Sequence, residues 1–324
     1  MVGPNPIDRQ ERVPAGEQVL TLLRYTVLAP TYQNSQPWKF AVQSGAVRVF
    51  ESLGDPRLAS AVHGRELDLS LGCAIENLAT AAAHDRALGE VRLLPGASSP
   101  HLVAEITLTG HGSRPDDATA ERFAAIPRRH TNYRPYDASP LPHAVRDELT
   151  RAADSLDVQL VLFDHQTLER AVEALLWESG LAPGDPQHDE DHLLRREVDR
   201  LIGRIGELAH PFVVPGQPSA RQDAELLLSA PLFGVLAVDQ EDRESRLRAG
   251  RALERVWLAA TAEGVQLHPI SRILQLDETR AALRHLLPPG AGTPLVPFRV
   301  GYAPHDHRRT PRRPLRESLV PWVD

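Results

Sequence analysis

Two distant segments of this chain read as one helix written twice. "RELDLSLGCAIENLATAA" (Arg65 to Ala82) aligns without gaps on "RESRLRAGRALERVWLAA" (Arg243 to Ala260), with Arg65/Arg243, Glu66/Glu244, Leu69/Leu247, Gly72/Gly250, Ala74/Ala252, Glu76/Glu254, Ala81/Ala259 and Ala82/Ala260 identical. Ile75/Leu253 and Leu78/Val256 keep their size and polarity. Both segments have helical periodicity, and their glycine and alanines let a second helix approach closely. "VRLLP" from Val91 follows the first copy and "VQLHP" from Val265 the second; each then reaches a strand-like run, "LVAEITL" from Leu102 and "LVPFRVGY" from Leu295. A shared order of helix, V-x-L-x-P and strand is hard to reach by composition alone. It constrains the chain to an α+β fold of two related halves that arose by duplication.

The remaining pattern fits that frame. A helix is expected from about Gly16 to Leu28, then a hairpin in "WKFAVQSGAVRVF" turning at Ser44-Gly45. "VRDELTRAADSL" and "QTLERAVEALLWES" read as amphipathic helices flanking a strand at "VQLVLF", and "LLLSAPLFGVLAVD" holds another buried strand. The halves are expected to meet near residue 115, as 1–115 and 116–324. Proline- and glycine-rich stretches bracket a piece at about 178–222 with no counterpart in the first half, which reads as an insertion and a candidate lid.

Composition excludes several function classes. With 42% hydrophobic and 24% charged residues the chain is globular rather than disordered. A net charge of −7 argues against non-specific nucleic-acid binding. Of the 36 basic residues only Lys39 is a lysine, so a charged contact to an anion has to come almost always from an arginine. The single cysteine, Cys73, excludes an intrachain disulfide. Neither a signal-peptide core nor an apolar run of membrane-spanning length is evident, so a cytoplasmic protein without membrane contact is expected.

Three stretches carry candidate chemistry. In "APTYQNSQPWKF" (Ala29 to Phe40) a helix stops at Pro30 and a row of uncharged polar side chains follows on a short loop. "RRHTNYRPY" (Arg128 to Tyr136) and "HRRTPRRP" (His307 to Pro314) join guanidinium groups to hydroxyl donors, the combination a phosphate site requires. Each alone reads as an ordinary basic loop; together, in an acidic and lysine-poor chain, they point to an anion site. There is no G-x-G-x-x-G after a strand, no P-loop and no G-x-S-x-G elbow. "HDEDH" (His188 to His192) has metal-ligand spacing but reads as a solvated acidic helix start, and no metal is expected.

Taken in order, "AP-x-x-x-N-x-QPW", "RHTNYRP" and "GYAP…TPRRPL" resemble the FMN-dependent nitroreductase family, most closely its duplicated, single-chain Acg-like branch. The likeness spans nearly the whole chain. It implies a nitroreductase-like fold in which each half has a central, mostly antiparallel sheet flanked by helices and the halves form an intrachain pseudo-dimer, hence a monomer. It also implies FMN as cofactor. An R-x-S/T element, here Arg129 and Thr131 with His130 between them, and a basic pair, Arg312 and Arg313, would grip the phosphate. Pro30, Thr31, Tyr32 and Asn34 would supply a loop at the flavin edge. Each half lacks what the other has, so two incomplete halves would make one site. Arg134 would stand where negative charge builds on the reduced ring, unless it is spent on a salt bridge to Asp137. Pro269, Ile270 and Ser271 fall where the family presents a backbone N–H to flavin N5. Asn77, although on a flavin-contacting pattern of the family, reads as a buried structural residue.

The implied activity is hydride transfer from NAD(P)H through FMN to a nitroaromatic, a quinone or a pathway intermediate, with Arg134 and Ser271 as catalytic candidates and the flavin supplying the hard chemistry. Two alternatives stay open at this stage. One is a non-catalytic protein that sequesters flavin under the lid, and the other a vestigial pocket in a structural or partner-binding protein.

Overall fold

The computed structural model describes residues 16–52, 61–96, 100–110, 112–164, 230–274, 277–304 and 310–322. The lid expected at about 178–222, "HDEDH" and the helix expected at "QTLERAVEALLWES" all lie outside these residues. The chain divides into two compact units, Met1–Arg128 together with Thr310–Asp324, and Arg129–Arg309.

The first unit opens with α1 (Gly16–Thr26), followed by a hairpin of β1 (Trp38–Gln43) and β2 (Ala46–Glu51). Gly45 closes that hairpin at a φ of 80°, where a side chain would be strained. The long α2 (Ala61–His84) leads to β3 (Leu88–Leu93), β4 (Leu102–Leu108) and the short α3 (Asp117–Ala125). The second unit runs α4 (His143–Asp154), β5 (Gln159–Asp164), β6 (Leu232–Val238), α5 (Arg243–Ala262), β7 (Gln266–Pro269), a 3-10 turn (Ser271–Leu274), α6 (Asp277–Leu286) and β8 (Thr293–Gly301).

The two sheets have one plan. Their strand orders are β1-β2-β4-β3 and β5-β6-β8-β7, every pairing antiparallel. In each, the repeated helix is inserted after the second strand, as α2 and as α5, and the helix ahead of the sheet packs on it, α1 on α2 and α4 on α5. The two similar sequence segments therefore sit on equivalent elements.

Two boundaries differ from the sequence reading. α3 belongs to the first unit, so that unit runs to Arg128 rather than 115. The helix begins where the Asp116 carboxylate accepts from Thr119 N–H at 2.7 Å, and it is anchored by Phe123, whose ring lies 4.7 Å from that of Tyr25 and 3.9 Å from that of His84. Apart from Phe123 the apolar residues of this helix are alanines, so its pattern gave no sign of which half it served. The C-terminal segment also returns to the first unit. Leu319 bridges Phe40 in parallel, Val320 N–H donates to the Phe40 carbonyl at 2.9 Å, and Arg48 lies 4.1 Å from the Trp322 ring. Lys39, the single lysine, donates to the Glu317 carbonyl at 2.6 Å.

In the second sheet every residue of β6 is buried, and so is β8 beyond its first residue, which explains why both read as continuous apolar runs. Gly234 faces Phe298 across this pair, and a Cβ there would stand 2.6 Å from the ring. The ring is fully buried and has nowhere to move. Gly234→Ala should therefore destabilise the protein by about 1–3 kcal/mol through overpacking. A drop in melting temperature checks this, and Phe298→Leu in the same background should recover part of it.

Candidate functional site

In the second unit the residues singled out by sequence converge on one arginine that the sequence reading passed over. Arg299 sits in the central strand β8, fully buried. Its Nη2 donates to the carbonyls of Asn132 (3.0 Å) and Arg134 (2.9 Å), and its Nε donates to His268 Nδ1 (3.1 Å) on β7. The guanidinium also lies 3.8 Å from the Tyr136 ring centroid. It thereby ties "RHTNYRPY" to the strand that leads into Pro269, Ile270 and Ser271. Asn132 completes the arrangement: its Oδ1 accepts from Arg134 N–H at 3.0 Å and its Nδ2 donates to the Pro304 carbonyl at 3.0 Å. A lone charge in the apolar run "LVPFRVGY" was the sequence signal for this residue.

Because Arg299 donates to Nδ1, the proton of neutral His268 resides on Nε2. Burial, followed by the adjacent Arg299 charge, pushes its pKa down to about 3. The imidazole edge also meets the Tyr133 ring, with centroids 4.8 Å apart.

The candidate arginines fall into two groups. Arg129 is buried, its Nε 3.3 Å from Glu254 Oε1 on α5 and its guanidinium 4.5 Å from the Trp257 ring. That pairing engages the Nε edge of its guanidinium. Arg134 is exposed, and its side chain has no partner among the described residues. The salt bridge to Asp137 does not form; the Asp137 carboxylate accepts from Ser139 N–H and Oγ instead. Thr131 is half-buried and His130 buried. The Ile270 N–H, one of two candidates to face a flavin, donates to the Pro297 carbonyl at 2.8 Å. Ser271 opens a 3-10 turn, where leading N–H groups have no acceptor within the turn.

In the first unit α1 ends at Thr26, ahead of Pro30, and the polar loop forms a 3-10 turn at Tyr32–Asn34. Gln33, Asn34 and Gln36 adopt φ values of 50°, 55° and 47°. Such left-handed backbone costs about 1 kcal/mol or more per non-glycine residue, so surrounding contacts have to impose it. Thr31 Oγ1 accepts from Gln36 N–H (3.3 Å), and Ser70 Oγ on α2 accepts from Tyr32 N–H (3.1 Å). The C-terminal segment supplies the rest, with Asn34 Nδ2 donating to the Pro311 carbonyl (3.1 Å) and Gln36 Oε1 accepting from Arg313 N–H (2.8 Å). Arg312 directs its side chain onto the same loop, whereas the Arg313 guanidinium is exposed and without a partner among the described residues. The basic pair thus belongs to the unit that carries the loop, a placement the sequence reading had reversed. Ser35 Oγ and Trp38 Nε1 are buried with no hydrogen-bond partner among the described residues. Asn77 is fully buried and donates from Nδ2 to the Tyr25 carbonyl at 3.3 Å.

Among the described residues no cluster of histidine, cysteine and carboxylate side chains suits a metal ion. In the same set, no helix is long and apolar enough to cross a membrane.

Two outcomes follow for the second unit. Arg129→Ala removes a buried cation 3.3 Å from Glu254 Oε1 and should cost about 3–5 kcal/mol, read as a lowered urea midpoint. For His268 the folded pKa lies below the ordinary 6.5. Its contribution to stability is complete above 6.5 and is lost as pH falls toward 3, because the unfolded chain binds the proton first. His268→Gln should flatten that part of the curve of stability against pH.

No protein-family model matches the chain. It is 32% identical over 342 residues to a Mycobacterium tuberculosis protein that carries NAD(P)H nitroreductase as its provisional name, with 99% of this chain and 96% of that protein covered. The M. tuberculosis protein provisionally named NAD(P)H nitroreductase acg is 28% identical over 315 residues, covering 89% and 91%. Among solved structures, the FMN-dependent nitroreductase NfnB from Mycobacterium smegmatis in complex with NADPH aligns over 62% of this chain and 97% of its own, at 18% identity and a TM-score of 0.39. The nearly end-to-end identity with the first of these relatives places this chain in the NAD(P)H nitroreductase family.

Proposed function

We propose that this chain binds FMN and carries hydride from NAD(P)H to an electron-poor acceptor such as a nitroaromatic or a quinone. When bound, FMN supplies the hydride chemistry, and the chain's residues hold it and set the charge around it. The observation that carries this reading is the set of unspent donors on the elements picked out by the family resemblance. Arg134 and Arg313 are free guanidinium groups among the described residues, and Ser35 Oγ and Trp38 Nε1 are buried donors without acceptors. Each unit thus has a free guanidinium suited to an anionic ligand, and the first unit adds donors suited to a ligand rich in heteroatoms.

The residue roles follow from which groups are already spent. Arg313 would hold the phosphate. Pro30, Thr31, Tyr32 and Asn34 would frame the ring edge. Arg134 would stabilise negative charge on the reduced ring by a fixed, preorganised positive charge. Ser271, rather than Ile270, would offer a backbone N–H to N5, since the Ile270 N–H is engaged by Pro297. Duplication of an ancestral half accounts for the shared strand order and the repeated helix. A chain that contains both halves needs no second copy, so we infer a monomer.

Purified protein should take up FMN, and its visible absorption should bleach under anaerobic NADPH or NADH and return on addition of a quinone. Loaded protein that stays coloured with both nucleotides would contradict the hydride-transfer reading. Arg313→Ala should remove a charge-assisted contact of about 1.5–3 kcal/mol and weaken FMN roughly ten- to a hundredfold in a fluorescence titration. Arg134→Ala should slow reduction by nicotinamide with a smaller effect on FMN affinity.

A further inference from the structure

The C-terminal segment spends Arg312 in an unusual way. All five guanidinium N–H groups have acceptors within the first unit. Nε donates to the Val27 carbonyl (3.0 Å), and Nη2 to those of Leu28 (3.2 Å) and Ala29 (3.1 Å). Nη1 donates to Asn34 Oδ1 (3.3 Å) and to the Thr310 carbonyl (3.0 Å). Three of these acceptors lie just past the end of α1, where carbonyls have no partner further along the helix. The same end of a helix favours positive charge. The fourth is the side chain of a left-handed residue in the polar loop, and on either side of Arg312, Pro311 and Arg313 bond Asn34 and Gln36 through their backbone. A guanidinium with every donor committed has none left for a phosphate.

We propose that Arg312 is the positioning residue of the flavin loop: it clasps the end of α1 to Asn34 and so holds Thr31–Gln36 in its left-handed course, without touching the cofactor. The role as part of a phosphate-gripping pair then falls to Arg313 alone. A lysine cannot replace Arg312, because an ammonium has three donors at one point and cannot reach carbonyls spread over Val27–Ala29 together with Asn34. At a phosphate site, by contrast, lysine is a serviceable substitute. The clasp itself is a property of the polypeptide; its effect on flavin rests on the function proposed above.

Two measurements test it. Hydrogen exchange on the flavin-free protein reads the clasp directly. Arg312→Ala should raise exchange of the Tyr32, Ser35 and Gln36 amides by about tenfold or more, with the β1–β2 ladder unchanged, and Arg312→Lys should behave like the alanine variant. Should Arg312→Ala fail to fold, the lysine variant carries the same comparison. Unchanged loop exchange in either variant overturns the proposal. The second measurement compares FMN with riboflavin, which lacks the phosphate. Arg312→Ala should weaken both by a similar factor, while Arg313→Ala should weaken FMN alone. Loss of FMN with riboflavin binding retained in Arg312→Ala, or full rescue by Arg312→Lys, would mark Arg312 as a phosphate ligand and overturn the proposal. Wild-type protein that binds neither flavin would defeat the proposed function, and the exchange result would still decide the clasp.

Discussion

Guanidinium groups donating to backbone carbonyls hold the candidate residues of both units in place. Asn132, Arg134 and Val27–Ala29 lie on irregular backbone, where carbonyls have no repeating partner and burial without one is costly. Arg299 meets that need for Asn132 and Arg134, and Arg312 meets it for Val27, Leu28 and Ala29. Each also binds a side chain, His268 in one unit and Asn34 in the other. A planar fork with five donors can gather acceptors from several residues at once, which an ammonium cannot. The near absence of lysine from this chain then becomes intelligible at these two positions, since the work assigned to its cations requires arginine.

The repeated helix shows how one sequence pattern is used in two environments. Glu76 and Glu254 are aligned and both are buried, so that identity reflects a shared interior position. The Arg-Glu pair that opens each copy is different. Arg65 and Glu66 are buried in α2, and desolvation lifts the Glu66 carboxyl to about 7 against the pull of Arg65. Glu244, its counterpart in α5, is exposed. The α5 copy is instead started by Asp242, whose carboxylate accepts from Ser245 N–H while Ser245 Oγ accepts from Asp242 N–H. Identical residues at aligned positions thus carry a desolvation cost in one unit and none in the other.

Much of the fold could be read from the chain because periodicity reports burial directly. The hairpin at Ser44-Gly45, the strands at "VQLVLF" and "LVAEITL" and both repeated helices lie where their patterns put them. The two failures were of membership. α3 and the C-terminal segment join the first unit through Phe123 and through a bridge from Leu319 to Phe40, contacts that depend on residues far apart in sequence. Local pattern contains no information about such partners. Conversely, the polar loop was conspicuous in sequence, yet the residues that enforce its shape, Ser70 on α2 and Arg312 near the other end of the chain, were not.

The same limit applies to ranking the arginines, and there it bears on chemistry. In sequence Arg129, Arg312 and Arg313 share one expected role and Arg134 has another, but nothing local ranks them by availability. In the structure Arg129 is neutralised by Glu254 and Arg312 is saturated by carbonyls, while Arg134 and Arg313 stay open. An arginine with a full set of acceptors contributes rigidity, because removing it strands several buried or half-buried polar groups at once. An arginine with none contributes affinity for whatever anion arrives. A motif of paired arginines can therefore divide its labour, one member fixing the loop and its neighbour meeting the ligand. Only the acceptors around each guanidinium reveal which does which.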